Sequence, residues 1–324
     1  MHPPVTGTRH DLENDRVRVE VGTVAAVLRS LEVNGTQLVE DFGDGVLPPF
    51  GAGITLFPWP NRVRDGKWLL DGRPQQLDLT EPSKGNASHG LLRNTEYAVA
   101  QKDGSTIELG ATVFPQHGWP FTLRHCVRYR ATESGLEVTH TVTNLGARDA
   151  VFAVGAHPYF RIGEEPIADL VVTSDLVERV LLDDRLLPIG TEPVQRGGEF
   201  DLTRGREVGQ LDLNYAFRVR PTGDRVLLTL SSRTGAHLEL WGDEAFRHLQ
   251  LYTPSDFPRP DGHHGGTGLA FAAEPMTSPP DALNSGTDLI GIEAGQTWSA
   301  AWGVRFTSSE SAGAAARPFG SRRS

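Results

Sequence analysis

Residues Leu136 to Asn144 read L-E-V-T-H-T-V-T-N, a stretch in which every second position can face one side of a strand and the polar residues between them can face the other. Such alternation predicts a β-strand with one buried and one exposed face. The whole sequence contains 36 glycines and 22 prolines. They are scattered so that turns recur about every eight to twelve residues, the spacing typical of many short strands. No long helical periodicity interrupts this pattern, so the sequence predicts an all-β protein.

The length of the chain, 324 residues, is compatible with two average domains or with one large all-β unit. The recurring strand pattern favours a single β-sandwich domain over residues 1–306. Residues 290–306 predict a closing hairpin that turns at Glu293 to Gly295. Residues 307–324 are rich in Ser, Ala, Gly and Arg, and we expect this tail to be disordered.

Net charge and composition restrict the kinds of partner. The formal net charge is −10 and no basic stripe is present, so a nucleic-acid surface is not expected. The N-terminus lacks the apolar region of a signal peptide, and no run of about 18 apolar residues predicts a membrane span. The single cysteine, Cys126, fits a reducing compartment. These features predict a cytoplasmic protein with a small-molecule partner.

Two apolar segments each contain an ionisable residue followed by proline. Val154 to Ile162 reads V-G-A-H-P-Y-F-R-I and contains His157, and Phe271 to Asp281 reads F-A-A-E-P-M-T-S-P-P-D and contains Glu274. Proline disfavours the helical region for the residue before it, so we expect each ionisable side chain at the end of a strand. A histidine and a glutamate held in this way are candidates for general acid–base catalysis on a neutral substrate.

Three further motifs present polar side chains: a proline-stiffened loop with Asn61 and Arg62, the dipeptide His89-Gly90, and Asp212 before an aromatic strand. An arginine can hydrogen-bond sugar or carboxylate oxygens. A glycine lets the backbone approach a ligand closely. Each motif alone is also typical of ordinary turns or solvated side chains, so none of them identifies a site by itself.

The sequence does not predict a metal or cofactor site. His263 and His264 are adjacent, so they cannot project onto one face of a strand, and neither an H-E-x-x-H motif nor a cysteine cluster accompanies them. The nearby G-G-T-G lacks the lysine of a phosphate-binding loop. We therefore expect chemistry that needs neither metal nor cofactor.

Taken in order, these motifs resemble those of the aldose 1-epimerase (galactose mutarotase) family. The family order is N-R, D-G, H-G, H-P-Y-F, a lone aspartate before an aromatic strand, and E-P, found here at Asn61-Arg62, Asp65-Gly66, His89-Gly90, His157 to Phe160, Asp212 and Glu274-Pro275. The resemblance covers nearly the whole chain, from Asp11 to Phe306. It implies a large antiparallel β-sandwich of the galactose mutarotase type, a supersandwich, with one monosaccharide bound on its open face.

The resemblance also implies roles for individual residues. Glu274 would be the base that takes the proton from the anomeric hydroxyl, and His157 would be the acid that protonates the ring oxygen. The residues expected to bind the sugar are Asn61, Arg62, His89, Tyr159 and Asp212. The implied activity is interconversion of the α and β anomers of a free aldohexose such as glucose or galactose. Four aromatic residues are candidates for apolar walls of the sugar site or for core packing: Trp59, Tyr159, Phe160 and Tyr252.

Two other functions stay open at this point. A hexose-6-phosphate 1-epimerase would need extra arginines around the far end of the sugar, and the candidates are Arg93, Arg161 and Arg259. A non-catalytic carbohydrate-binding β-sandwich would not need a paired acid and base. The sequence leaves open which aldose is the natural substrate and whether the chain is a monomer or a homodimer.

Overall fold

The computed structural model describes residues 4–259 and 266–308, and nearly all regular structure in these ranges is β-strand. The strands up to Phe160 are β1 (Arg9–Glu13), β2 (Val17–Gly22), β3 (Val27–Val33), β4 (Thr36–Gln37), β5 (Thr55–Leu56), β6 (Arg62–Val63), β7 (Lys67–Leu70), β8 (Arg73–Gln76), β9 (Ala87–Ser88), β10 (Ala98–Lys102), β11 (Thr106–Val113), β12 (Leu123–Ala131), β13 (Gly135–Asn144), β14 (Ala150–Phe152), β15 (Gly155–Ala156) and β16 (Tyr159–Phe160).

The strands after Phe160 are β17 (Val171–Thr173), β18 (Leu176–Leu182), β19 (Pro188–Pro193), β20 (Arg206–Glu207), β21 (Asn214–Val219), β22 (Val226–Ser231), β23 (His237–Gly242), β24 (His248–Tyr252), β25 (Phe257–Pro258), β26 (Thr267–Gly268), β27 (Phe271–Met276), β28 (Ile290–Ile292) and β29 (Thr297–Thr307). In the part of the chain that the structure describes, one short helix, α1, spans Ala282–Ser285, and single 3₁₀ turns occur at Pro49–Gly51, Arg64–Gly66, Ile167–Asp169 and Val208–Gln210. Within the described ranges, no helix has the length and hydrophobicity needed to span a bilayer.

Two large antiparallel sheets form the body of the protein. The order in the nine-stranded sheet is β10-β11-β12-β13-β29-β23-β22-β17-β20. The order in the eight-stranded sheet is β19-β18-β21-β24-β27-β15-β5, and β16 also pairs with β27. A separate sheet of order β1-β2-β3-β4 carries the N-terminal strands. The predicted all-β architecture, a large antiparallel sandwich, is therefore confirmed.

Side chains from both large sheets meet in one hydrophobic core. Val138 of β13 belongs to the same buried cluster as Leu249 and Leu251 of β24. Because successive side chains of a strand point to opposite faces, Gln250 and Tyr252 stand on the other face of the eight-stranded sheet. That face carries the cavity described below.

A chain of buried polar side chains also crosses the core. Trp302 Nε1 donates to His140 Nε2 over 2.9 Å, His125 Nε2 lies 3.1 Å from His140 Nδ1, and Tyr97 Oη lies 2.9 Å from His125 Nδ1. Indole nitrogen can only donate, so His140 must accept at Nε2 and carry its proton on Nδ1. His140 then donates to His125, and His125 donates to Tyr97. We call these four residues the core histidine chain.

Glu274 does not lie at a strand end, so that expectation is wrong. β27 continues through Pro275. The backbone nitrogen of Thr277 donates to the carbonyl oxygen of Val154 over 2.9 Å. Pro275 is two residues earlier in the strand, so its nitrogen points to the same side of β27 as that of Thr277. On that side it faces the gap between the end of β15 and the start of β16. The missing N–H therefore removes no ladder bond there. His157 does lie at a strand end, between β15 and β16.

The end of the described chain also differs from the expectation. A turn forms, since the nitrogen of Gln296 donates to the oxygen of Glu293 over 3.1 Å. However, β28 pairs with β14, whereas β29 pairs with β13 and β23, so the predicted closing hairpin is wrong. β29 reaches Thr307, one residue past the expected boundary. Residues 309–324 lie outside the described residues, so the disordered tail stays a prediction. The assignment of residues 1–306 to a single domain also stays a prediction.

Candidate active site

A cavity of about 370 Å³ opens on the face of the eight-stranded sheet that points away from the core. This volume is within the range of about 300–1,000 Å³ typical of small-molecule sites. The adjacent strands β21, β24 and β27 contribute Asn214, Gln250, Tyr252 and Glu274 to its lining. The loop before β6 supplies Asn61, the loop after β9 supplies His89 and Arg93, and the loop after β15 supplies His157. Three paired strands thus form the base of the cavity, and loops form its walls.

The imidazole of His157 and the carboxyl group of Glu274 meet in this cavity. His157 Nε2 lies 3.3 Å from Glu274 Oε1, and the two residues are only 5% and 2% exposed. Their other polar atoms, His157 Nδ1 and Glu274 Oε2, are buried and find no hydrogen-bond partner within the described residues. The sequence therefore predicted a pair that the fold does bring together, and one buried polar atom of each side chain is left without a partner among the described residues.

Burial opposes charge on both members of this pair. It lowers the pKa of His157 to about 3, and it raises the pKa of Glu274 well above its usual value. Because the two groups are in contact, they titrate as a unit that holds one shared proton over a wide pH range. The positive charge of Arg62 acts against burial on Glu274 and favours the carboxylate. The pair can therefore move a proton from one member to the other without gaining or losing net charge.

Two rings hold the imidazole of His157 in place. Tyr159 stacks on it with a centroid separation of 5.3 Å and an interplanar angle of 15°, and His89 meets it edge-on at 5.5 Å. His89 lines the cavity, as predicted from the sequence. Tyr159 is buried and is not among the lining residues. The structure thus places Tyr159 behind His157 and not in the sugar-facing position that was expected.

The loop that carries His89 depends on a glycine. Gly90 has a φ of 75°, and a Cβ at this position would lie 2.0 Å from the carbonyl oxygen of Phe57. The nitrogen of His89 donates to the oxygen of Asn61 over 2.8 Å, and the nitrogen of Leu91 donates to the oxygen of Phe57 over 2.8 Å. Only glycine permits this close approach. The contact ties the His89 loop to the proline-stiffened loop that carries Asn61.

Arg62 is held by a neighbouring carboxylate. Its Nε and Nη2 donate to the two carboxylate oxygens of Glu81 over 2.7 and 2.8 Å, and both residues line the cavity. A two-point contact of this kind fixes the plane of the guanidinium group. Arg62 Nη1 also donates to Asn61 Oδ1 over 3.4 Å, and the donor hydrogens outside these contacts can meet a ligand with little further ordering.

Three side-chain amides form a neutral chain across the base of the cavity. Asn61 Nδ2 donates to Gln250 Oε1 over 3.2 Å, and Gln250 Nε2 donates to Asn214 Oδ1 over 3.1 Å. Gln250 is the cross-strand neighbour of Glu274, so it lies on the same face beside the acid–base pair. These bonds fix which end of each amide is a donor, and they leave other amide atoms for contact with a bound molecule.

The structure does not bring Asp212 to the site. Asp212 is exposed and is not among the residues that line the cavity. Asn214, two residues further on, starts β21 and takes the cavity-facing position. Asp212 lies before β21 begins, whereas the register of β21 pairs Asn214 with Tyr252 and so places Asn214 on the cavity face.

Other lining residues were missed or were named only as alternatives. The cavity is also lined by three residues that no sequence motif singled out: Gln250, Glu81 and Phe50. Alternation of β24, in which buried Leu249 and Leu251 flank Gln250, is the signal that could have found that residue. Of the four aromatic candidates, Tyr252 lines the cavity, whereas the others are buried: Trp59, Tyr159 and Phe160.

The described residues contain no group of three or more His, Cys, Asp or Glu side chains arranged to hold a metal ion. His263 and His264 lie outside the described residues, so the interpretation of that adjacent pair stays a prediction.

The β-sandwich and the polar cavity on its open sheet define a protein of the galactose mutarotase-like class. A solved structure of an aldose epimerase homologue from C. elegans matches with a TM-score of 0.81 at 18% sequence identity, and the match covers 93% of this chain and 98% of that chain. A likeness at this level of identity shows a shared fold.

The chain belongs to the aldose 1-epimerase family, because the sequence profile of that family matches residues 8–305. The uncharacterized protein YihR of Escherichia coli is 28% identical over 278 residues, which cover 85% of each chain. Galactose mutarotase of Bos taurus is 25% identical over 232 residues, which cover 63% of each chain. The family resemblance that the motifs suggested is therefore confirmed.

Proposed function

We propose that this protein interconverts the α and β anomers of an aldohexopyranose such as glucose or galactose. The observation that carries the proposal is the buried contact of 3.3 Å between His157 and Glu274 in a polar cavity of sugar-compatible size. Anomer interconversion requires one group to take a proton and another to give one at neighbouring oxygens. A histidine and a glutamate in contact meet that requirement without a metal or cofactor.

In the proposed reaction, Glu274 takes the proton from the C1 hydroxyl as the C1–O1 bond becomes a carbonyl. The bond between C1 and the ring oxygen breaks, and its electron pair stays on that oxygen, which receives a proton from His157. Rotation about C1–C2 turns the aldehyde over, and the reverse proton movements close the ring to the other anomer. Each group returns to its starting form, so the cycle balances.

The protonation state that starts the reaction is Glu274 as carboxylate and His157 as imidazolium. Burial favours the neutral arrangement, in which the shared proton lies on Glu274. The positive charge of Arg62 lowers the pKa of Glu274 and so favours its carboxylate, while it also lowers the pKa of His157 and so opposes the imidazolium. We infer that a sugar entering between the two groups separates them, and that its hydroxyl and ring oxygen then replace the direct contact.

We propose that the sugar hydroxyls are held by the polar side chains that line the cavity near the pair: Asn61, Arg62, His89, Asn214 and Gln250. Asp212 has no part in this proposal because it is exposed outside the lining. The unpartnered Nδ1 of His89 and the free amide atoms are the expected contacts, since buried polar atoms without partners are rare in folded proteins.

Polarimetry on freshly dissolved α-D-glucose and α-D-galactose tests the proposal. Purified protein should speed the change in optical rotation above the spontaneous rate, and heat-denatured protein should not. No acceleration with any aldose would contradict the proposal. Sugar binding without acceleration would indicate a non-catalytic carbohydrate-binding β-sandwich instead.

A further inference from the structure

The charges of the groups that line the cavity do not cancel. Arg62 is paired with Glu81. His157 and Glu274 share one proton and together carry no net charge in either arrangement. Arg93 also lines the cavity, and it forms neither an ion pair nor a hydrogen bond with any residue in 4–259 and 266–308. One guanidinium group of the cavity is therefore left without an opposite charge.

The other arginines that were candidates for binding a charged sugar are already paired with carboxylates, and Arg161 also contacts Glu164. Arg161 Nη1 and Arg259 Nη1 lie 3.4 and 2.5 Å from Glu40 Oε2, and Glu40 is buried. Neither arginine lines the cavity. Arg93 is thus the member of that set that can meet a ligand.

No described carboxylate of the cavity remains to offset Arg93. The polar groups across the base are the amides of Asn61, Gln250 and Asn214, which are neutral and bonded to one another. A guanidinium group has five N–H donors in a planar fork that matches the oxygens of a carboxylate, sulfate or phosphate. In a chain with a net charge of −10, an uncompensated cation in a ligand cavity points to an anionic ligand.

The position of Arg93 indicates which part of a bound sugar would carry the negative charge. Its positive charge reaches His157, because after burial it is the next cause that lowers the pKa of that imidazole, and it lowers the pKa of His89 after burial, His157 and Arg62. In the proposed reaction His157 acts at the ring oxygen. The carbon on the far side of that oxygen from C1 is C5, which carries the exocyclic C6 group. A cation close to the ring-oxygen acid therefore faces the substituent at C6.

We propose that Arg93 determines specificity by binding an anionic group at C6, so that the preferred substrate is an aldohexose with a carboxylate, sulfate or phosphate at that position. This inference rests on the proposed function. It also bears on the chemistry, because the negative charge of the substrate offsets Arg93 and so makes it easier for His157 to hold the proton that it gives to the ring oxygen.

The experiment measures anomer exchange at equilibrium by saturation transfer between the two anomeric proton signals in ¹H NMR. The substrates are D-glucose, D-glucuronate, D-glucose 6-sulfate and D-glucose 6-phosphate. We expect kcat/KM on at least one anionic sugar to exceed that on glucose by about 10- to 100-fold, the contribution of a hydrogen bond between charged groups. Comparison of the three anions then separates carboxylate, sulfate and phosphate as the preferred group.

The variant that tests Arg93 directly is Arg93→Gln, read through the ratio of kcat/KM on the best anionic sugar to kcat/KM on glucose. The ratio should fall by about 10- to 100-fold. A structural loss would lower both values and leave the ratio unchanged. Arg93→Lys, which keeps the charge but not the fork, should give an intermediate ratio. Arg128→Gln is the control, since Arg128 lies on β12 and is exposed outside the cavity.

A wild-type protein that prefers glucose to all three anionic sugars would overturn this inference while leaving the proposed function intact. An unchanged ratio in Arg93→Gln would also overturn it. A wild-type protein that accelerates exchange of no sugar would instead contradict the proposed function itself. The two failures are therefore distinguishable in one set of measurements.

Discussion

Two buried pairs of ionisable groups in this protein are built in opposite ways. In the core histidine chain, His125 and His140 stack at 5.3 Å with an interplanar angle of 5°, and all four of their ring nitrogens have a hydrogen-bond partner. In the cavity, His157 and Glu274 contact each other through one atom each. Their other polar atoms, His157 Nδ1 and Glu274 Oε2, are buried without a partner in the part of the chain that the structure describes.

The difference separates a structural role from a catalytic one. A fully bonded network in the core recovers the cost of burying its polar atoms and makes one arrangement of the core preferable to others. An incompletely bonded pair recovers less of that cost, and folded proteins rarely tolerate such groups without a functional reason. We infer that the unused atoms of the cavity pair are kept for a ligand, whereas the ring nitrogens of His125 and His140 have no capacity left for one.

The largest expected effect is on turnover at the cavity pair. Glu274→Gln and His157→Asn should each lower kcat by about 10²- to 10⁴-fold, because the replacements keep shape and polarity but cannot transfer the proton. The free energy of unfolding should change by less than about 1 kcal/mol, since no satisfied hydrogen-bond network is broken. Anomer-exchange kinetics and urea unfolding on the same samples check both numbers.

The core histidine chain should give the reverse result. His140→Phe should lower the free energy of unfolding by about 2–4 kcal/mol, because Trp302 Nε1 and His125 Nε2 each lose a buried partner. kcat should stay within about twofold of wild type, as expected for a residue that does not touch the site. Urea unfolding measures the first effect, with Glu274→Gln as the matched variant. If kcat and the free energy of unfolding fell to the same extent in both variants, the contrast between a structural core pair and a catalytic cavity pair would be contradicted.

Acid should weaken the fold through the core histidine chain. Burial lowers the pKa of His140 to about 3 and holds the pKa of His125 well below its usual value. Below pH 6.5 these histidines bind protons in the unfolded chain but stay neutral in the folded core. The free energy of unfolding therefore falls as the pH falls from about 6.5 towards 3. Each histidine should cost about 1.4 kcal/mol per pH unit in that window.

Urea unfolding at pH 6.5 and pH 5 measures this loss. Between these two values His140→Phe should lose about 1.6 kcal/mol less stability than wild type, because it lacks one of the two histidines. An equal loss in both proteins would show that the acid sensitivity has another origin.

The smallest expected effect lies at the edge of the cavity. Asn214→Ala should raise KM by about 2- to 10-fold with kcat nearly unchanged, because a hydroxyl contact acts in both the ground state and the transition state. Asp212→Ala is the matched control and should change neither constant, since its side chain is exposed outside the lining. A larger effect of Asp212→Ala than of Asn214→Ala on KM would restore the expectation drawn from the sequence.

The sequence predicts those parts of the fold that depend on local pattern. The alternating stretch Leu136 to Asn144 lies within β13, and the spacing of turns correctly predicts an all-β chain. Strand partners were less predictable. β28 and β29 are neighbours in the chain but join different sheets. That choice depends on which sheet buries each apolar face, and a sequence pattern does not contain this information.

The candidate site was predicted where a motif is unusual by itself. His157 and Glu274 stand out because each is an ionisable residue before a proline within an apolar run, and the fold brings them into contact. Asp212 stood out as a lone acid, but strand register gives the cavity position to Asn214. Gln250 is an ordinary polar residue in a strand, and only its pairing with Glu274 reveals its importance.

The measurement that tests the central claim most directly is kcat for the double variant His157→Asn with Glu274→Gln, compared with the two single variants. If the pair acts as one acid–base unit, the double variant should lose about as much activity as the worse single variant, and the effects should not multiply. Multiplied losses would show that the two residues act independently. A single variant that keeps more than about half of the wild-type kcat would contradict the account for that residue.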